Sequence, residues 1–204
     1  MDGCVCAPCW AAIAPAPQVP WPPGIIVSAA AGGDYAGSLR EIVHAFKYEG
    51  RRSLAAPLGS LMRASGQAVL QGATHVVPVP LHPWRRIQRG FNQADDLART
   101  LSLPVAPILW RLRRTVAQAE LTAAQRRGNV DAAFTVSPLA PRRSREALRG
   151  AVVVLVDDVR TTGATLHACA EALVALDVRE VRVVTAAVRA HDARDYPSRG
   201  STAA

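Results

Sequence analysis

Asp157 and Asp158 stand side by side directly after the apolar run Val152–Val156. Thr161, Thr162, Gly163, Ala164 and Thr165 follow, and a largely apolar segment comes next. Carboxylates accept hydrogen bonds, hydroxyls donate them, and glycine lets the backbone come close to a ligand. With the apolar run as a buried strand, the acids lie at its carboxyl end, where open α/β sheets bind ligands. The Thr-Thr-Gly-Ala-Thr turn then opens a helix whose first N–H groups lack intrahelical partners and attract an anion. This combination suits a phosphate at the helix end with a hydroxyl-bearing sugar beside it. A divalent ion is natural for such a ligand.

Three other readings compete. An apolar strand ending in acids also describes the Mg²⁺ strand of a P-loop NTPase, but that needs G-x-x-x-x-G-K-[ST] upstream. The chain has one lysine, Lys47, and it lies in "AFKYEG". Paired carboxylates could be an acid/base pair, yet neighbouring strand residues point to opposite faces and flank a single bond poorly. A capped strand-to-helix turn explains one threonine but not two aspartates.

The elements that must position these residues follow from periodicity. In "GSLREIVHAFKYEG", Leu39, Ile42, Val43 and Phe46 share one helical face, and Gly50 ends the helix. A second helix is expected over Ser53 to Ala64, with Pro57 either early in it or kinking it. "THVVPVPL", from Thr74 to Leu81, reads as a short buried strand whose prolines suggest a sheet edge or a strand end. "FNQADDLARTL" reads as a further amphipathic helix and "PVAPILW" as a strand. From Arg111 to Asn129 the period dissolves into a loop or a loop with a weak helix. "GAVVVLV" is a strand buried on both faces, followed by a helix from about Ala164 to Leu176 and the strand "EVRVVTAAV". Alternating strands and helices predict an α/β domain with a mainly parallel sheet, beginning near Tyr35. Residues 1–24 read as a cysteine-containing, Pro-rich segment that links rather than packs, and 191–204 as a polar tail.

The net charge of +8 favours phosphorylated or polyanionic partners. The arginines fall in short clusters, such as Arg51-Arg52, Arg126-Arg127 and Arg142-Arg143-Arg145, that suit several loops meeting small phosphates. No compact basic helix with interleaved aromatics argues for nucleic acid. No window nears 18 uninterrupted apolar residues, and Met1 to Cys4 lacks the basic and apolar regions of a secretory signal. The expectation is a cytoplasmic protein without a membrane partner. Cys4, Cys6 and Cys9 crowd together as in a metal site, but only Cys6-x-x-Cys9 has knuckle spacing and zinc wants four ligands. Cys169 reads as a buried thiol. Lys47 draws notice as a lone lysine among arginines, which is either a role in the site or an accident.

"VVVLVDDVRTTGATL" resembles the PRPP (5-phosphoribosyl-1-pyrophosphate) loop of type I phosphoribosyltransferases. "VPVPLHPWRRIQRGFNQADDLA", "RTVAQAELTAAQRRGNVDAAF" and "LREIVHAFKYEG" are similar to blocks of the ComF (competence protein F) family. Together the likeness spans about 35–190. It implies a type I phosphoribosyltransferase fold with a flexible hood and a phosphoribosyltransferase-like domain over 35–190. Asp157 and Asp158 would hold the ribose hydroxyls, directly or through Mg²⁺ brought with PRPP, and would be the catalytic pair. Thr161, Thr162, Gly163, Ala164 and Thr165 would hold the 5′-phosphate. Arg85, Arg86 and Arg89 would lie in the pyrophosphate loop, and Arg114, Gln118, Arg126 and Asn129 in the hood.

The implied reaction is displacement of pyrophosphate from ribose C1 by an unidentified nitrogen nucleophile. The other reading is a non-catalytic PRPP sensor or an accessory in DNA uptake, since fold alone does not establish turnover. Expected partners are PRPP, a nitrogenous acceptor, the DNA-uptake machinery or single-stranded DNA, and a second copy of the chain. The family's four-cysteine zinc module is incomplete here, because Cys6-x-x-Cys9 matches its second knuckle alone.

Overall fold

The computed structural model describes residues 5–19, 21, 23–81, 90–111 and 133–189. Four parallel strands form the central sheet: β1 (Ile26–Ala31), β2 (His75–Pro78), β5 (Val152–Arg160) and β6 (Glu180–Val188), in the order β1-β6-β5-β2. The β-branched run of β5 explains its central place, since it is buried on both faces. On one face, Val154, Val156 and Val184 pack with Leu39, Ile42, Val43 and Phe46 of helix α2 (Gly37–Tyr48). Leu58 and Met62 of α3 (Ala55–Ser65) and Leu97 of α5 (Gln93–Arg99) complete that layer. On the other face, Val153 and Leu155 pack with Leu166, Cys169 and Leu173 of α7 (Ala164–Val174). The result is a parallel sheet between two helical layers, as expected.

The helix over "GSLREIVHAFKY" buries the four residues its spacing selects, and Pro57 sits in the first turn of α3, where its missing N–H costs little. β2 takes the sheet edge, which tolerates Pro78. Three expectations need correction. β1 lies ahead of the expected start at Tyr35, yet it pairs with β6 along its length. "PVAPILW" divides between two sheets: Val105 makes a parallel bridge to Val76 of β2, whereas β3 (Leu109–Arg111) pairs antiparallel with β4 (Phe134–Val136) in a separate two-stranded sheet. Residues 1–24 are more than a link, because α1 (Ala7–Ala11) forms there and Trp10 and Ile13 pack against the α2 layer. Two short helices, α4 (Gln67–Leu70) and α6 (Arg142–Glu146), complete the described elements.

The arginine clusters also divide differently from their sequence reading. Arg52 grips Asp96 through two bonds of 2.7 Å and lies over the Phe91 ring. Arg142 pairs with Glu146, and Arg145 donates to the carbonyls of Ser137 and Pro138. These arginines are held by carboxylates and carbonyls of the protein itself.

Candidate functional site

β5 extends past the aspartates to Arg160, pairing Asp157 with Thr185 and Arg160 with Val188 of β6. Alternation along the strand turns the two acids to different layers. Asp158 follows Val154 and Val156 toward α2, where its Oδ1 lies 2.7 Å from Lys47 Nζ. Both side chains of this pair are mostly buried, at 14 % and 13 % exposure. Asp157 follows Val153 and Leu155 toward α7, and its Oδ1 accepts the Asp158 backbone N–H at 2.9 Å. Burial above all, and then the neighbouring Asp158 carboxylate, push the Asp157 carboxyl up to about 7; the Asp158 N–H, Lys47 and Arg111 oppose the rise. Burial, reinforced by Asp157, pushes the Cys169 thiol well above its usual range, consistent with an inert core thiol.

The turn after the strand has the shape its sequence suggests. Gly163 caps α7 from the left-handed region, at φ 78° and ψ 0°, where only glycine sits without strain. Thr162 Oγ1 accepts the Ala164 N–H at 3.3 Å, which ties the hydroxyl to the helix start. Thr161, Thr162 and Ala164 are exposed and Thr165 is partly so. The turn therefore presents exposed threonine residues at the helix N-terminus, next to the acid pair in the chain.

Two neighbours of this turn come from far away in sequence. Arg160, buried within β5, donates from Nη2 to the Val19 carbonyl at 2.7 Å, and its guanidinium lies 4.8 Å from the Trp21 ring centroid. The same ring stands against Gly163, with Cη2 3.0 Å from where a Cβ would be. The Pro-rich segment is thus fastened beside the turn. A cleft of about 620 Å³ opens under it, lined by Pro15, Val19, Ala30, Gly32, Arg160 and Thr185. Sequence reading missed both contacts, although the aromatic Trp21 within a proline run was a visible signal.

Other side chains near the site, and the remaining expected site residues, fall as follows. Asn92 is a structural cap: its Oδ1 accepts the Ala94 N–H and its Nδ2 donates to the Val79 carbonyl. Arg85, Arg86 and Arg89, and the hood candidates Arg114, Gln118, Arg126 and Asn129, lie outside the described residues, as does Cys4. The Cys6 and Cys9 thiols are exposed and hydrogen-bond to each other, which lowers Cys6 and raises Cys9. Among the described residues, no group of three or more His, Cys, Asp or Glu side chains could hold a metal ion. The acid pair does not build a protein-held Mg²⁺ site either: its carboxylates face different layers, and one is already paired with an ammonium.

A family profile described as "Phosphoribosyl transferase domain" matches residues 88–200, more than half of the chain. Competence protein F of Haemophilus influenzae is 34 % identical over 161 residues, covering 74 % of this chain and 68 % of that protein. The chain belongs to the phosphoribosyl transferase family, in its competence protein F (ComF) branch. Two further ComF relatives are DNA utilization protein YhgH of Escherichia coli K12 and competence protein ComFC of Bacillus subtilis. The first is 32 % identical, covering 74 % of this chain and 67 % of the relative. The second is 30 % identical, covering 68 % of this chain and 55 % of the relative. Among solved structures, orotate phosphoribosyltransferase from Aeropyrum pernix aligns with a TM-score of 0.40 at 20 % identity, over 69 % of this chain and 75 % of that chain. In this ComF chain, the segment matched by the profile includes the acid pair and the turn that follows it. No helix among the described residues is long and apolar enough to cross a membrane.

Proposed function

We propose that this ComF-branch chain binds PRPP and transfers its phosphoribosyl group to a nitrogen nucleophile. The observation that carries the reading is one continuous piece of backbone. β5 delivers two carboxylates, and three residues after the strand Gly163 opens α7 beside the exposed Thr161, Thr162 and Ala164. A 5-phosphate seated in that turn places the sugar over the acids, which accept from its hydroxyls. Breaking the C1–O bond leaves positive charge at C1 and sends the electron pair to pyrophosphate, while the nucleophile's lone pair forms the C1–N bond. Fixed carboxylates beside the ring stabilise the first charge. Mg²⁺ enters with the pyrophosphate in this reading, and not in a cage of protein ligands.

Isothermal titration with PRPP and with ribose 5-phosphate tests the binding. We expect saturable heat for both in the wild type, and a loss of about tenfold or more in Asp158→Asn, because a charged hydrogen-bond acceptor is removed. No heat from either ligand at millimolar concentration ends this reading. The names of the relatives, competence and DNA utilization, favour a second one, a PRPP-sensing accessory without turnover. Pyrophosphate release assayed across purines, pyrimidines and ammonia separates the two, since a sensor binds PRPP yet releases none.

Trp21 offers an independent optical check. The chain has four tryptophans, and among the described residues Trp21 is the one against the glycine of the turn. Ribose 5-phosphate should change the intrinsic fluorescence, and Trp21→Phe should remove most of that change. An undiminished response in the variant would place the phosphate elsewhere.

A further inference from the structure

Lys47 is the chain's one lysine, and it stands at the acid pair. Its position follows from packing. Leu39, Ile42, Val43 and Phe46 bury one face of α2, which fixes the helix in rotation and brings its last turn to the end of β5. A cation there also meets the negative end of the helix dipole. Where this structure needs a cation for a structural pair, it uses arginine, as in Arg52–Asp96, Arg99–Asp95, Arg142–Glu146 and Arg182–Glu180. A planar guanidinium grips a carboxylate through two bonds, whereas an ammonium is a compact point charge with three donors. Asp158 engages Lys47 from one side, so the ammonium still has donor directions for another oxygen. A sugar hydroxyl beside the pair can donate to the carboxylate while accepting from the ammonium.

We propose that Lys47 is the built-in cation of the sugar site, doing for the ribose hydroxyls what a divalent ion would otherwise do. The chemical class it selects is a furanose 5-phosphate with a free cis-diol. The proposal rests on the phosphoribosyl-binding reading and deepens it: recognition of the ribose 5-phosphate half is independent of Mg²⁺, and only the pyrophosphate half depends on the metal. A Mg²⁺ at the same oxygen would have to displace a partly buried ammonium 2.7 Å away, which costs the pair's desolvated attraction.

The test is titration of ribose 5-phosphate, which has no pyrophosphate, in EDTA and in excess Mg²⁺. Wild-type affinity should agree within about twofold in the two buffers, a difference well below one charged hydrogen bond. Lys47→Gln should bind about tenfold or more weakly in EDTA and regain part of that loss in Mg²⁺. A purely structural Lys47 would lower thermal stability without creating a metal response. Wild-type binding that itself requires Mg²⁺ overturns this proposal while leaving the phosphoribosyl reading intact, and that measurement needs no folded variant. A Lys47→Gln chain that binds like wild type in EDTA overturns it too. Absence of binding by the wild type in either buffer overturns the underlying reading and this proposal together.

Discussion

Asp157→Asn should make the protein more stable at pH 8 and leave it nearly unchanged at pH 4, while weakening ligand binding. The Asp157 carboxyl is raised to about 7 in the folded chain by burial and by Asp158. In the unfolded chain it returns to the ordinary carboxylate value near 4. Between these values the folded state holds a proton that the unfolded state has released, so stability falls as pH rises through the window. Above about 7 the whole cost of a buried, repelled charge is present. Below about 4 both states are protonated and the cost vanishes. Asparagine never ionises, and its side-chain carbonyl can still accept the Asp158 N–H. The gain at pH 8 is on the order of 2–4 kcal/mol, or roughly 5–12 °C in Tm for a domain of this size. Melting curves of both proteins from pH 4 to 9 check it. Parallel curves across that range would show that the acid bears no such penalty. The same substitution removes a carboxylate from the proposed sugar site, so the stability gained should be accompanied by affinity lost, the trade expected of a site held under electrostatic strain.

How much of this was legible depended on whether a signal was local. β5 was plain because "VVVLV" is uniformly apolar and β-branched, a pattern few elements besides a buried parallel strand display. α2 was plain because Leu39, Ile42, Val43 and Phe46 keep one face. β1 was not: "IVSAAA" carries small residues with little alternation and follows a proline run, so it resembles the end of a linker. Its pairing with β6 supplies what its own residues do not. "PVAPILW" looked like one strand because apolarity does not say which sheet a residue joins; its start bridges Val76 of β2 and its end pairs with Phe134–Val136.

The site shows the same division. The acids and the threonine turn are consecutive, so their chemistry could be read in order. The groups that tune them are not consecutive. Lys47 stood out as a solitary lysine, but its contact with Asp158 depends on how α2 lies on the sheet. The grip of Arg160 on Val19 and Trp21 joins residues 141 positions apart, and no local period encodes it. The contrast between the two acids, one paired with an ammonium and the other pushed up to about 7 by burial and its neighbour, is likewise a product of the two helical layers.

Gly163→Ala should cost about 1–3 kcal/mol of stability and about a hundredfold in ligand affinity. The residue sits at φ 78°, so a side chain there adds about 1 kcal/mol of backbone strain. A methyl group would also meet Trp21 Cη2 at 3.0 Å, with Cζ3 and Cζ2 at 3.4 and 3.5 Å. The ring can give by a few tenths of an ångström only by disturbing its stacking on Arg160, whose guanidinium also holds the Val19 carbonyl. The total destabilisation should be about 1–3 kcal/mol, as for an overpacked position. Binding suffers more, because the methyl occupies the approach by which phosphate oxygens reach the first N–H groups of α7. A loss of about a hundredfold in PRPP and ribose 5-phosphate affinity is expected, equal to two charge-assisted hydrogen bonds. The double variant Trp21→Ala/Gly163→Ala separates the two effects. Removing the ring relieves the clash, so the stability costs of the single changes should not add, whereas the affinity should stay low. If Gly163→Ala binds ribose 5-phosphate as tightly as wild type, the turn is not the phosphate seat. If the double variant recovers binding, the ring's displacement and not the methyl blocks the site, and Trp21 becomes part of the wall a ligand must meet.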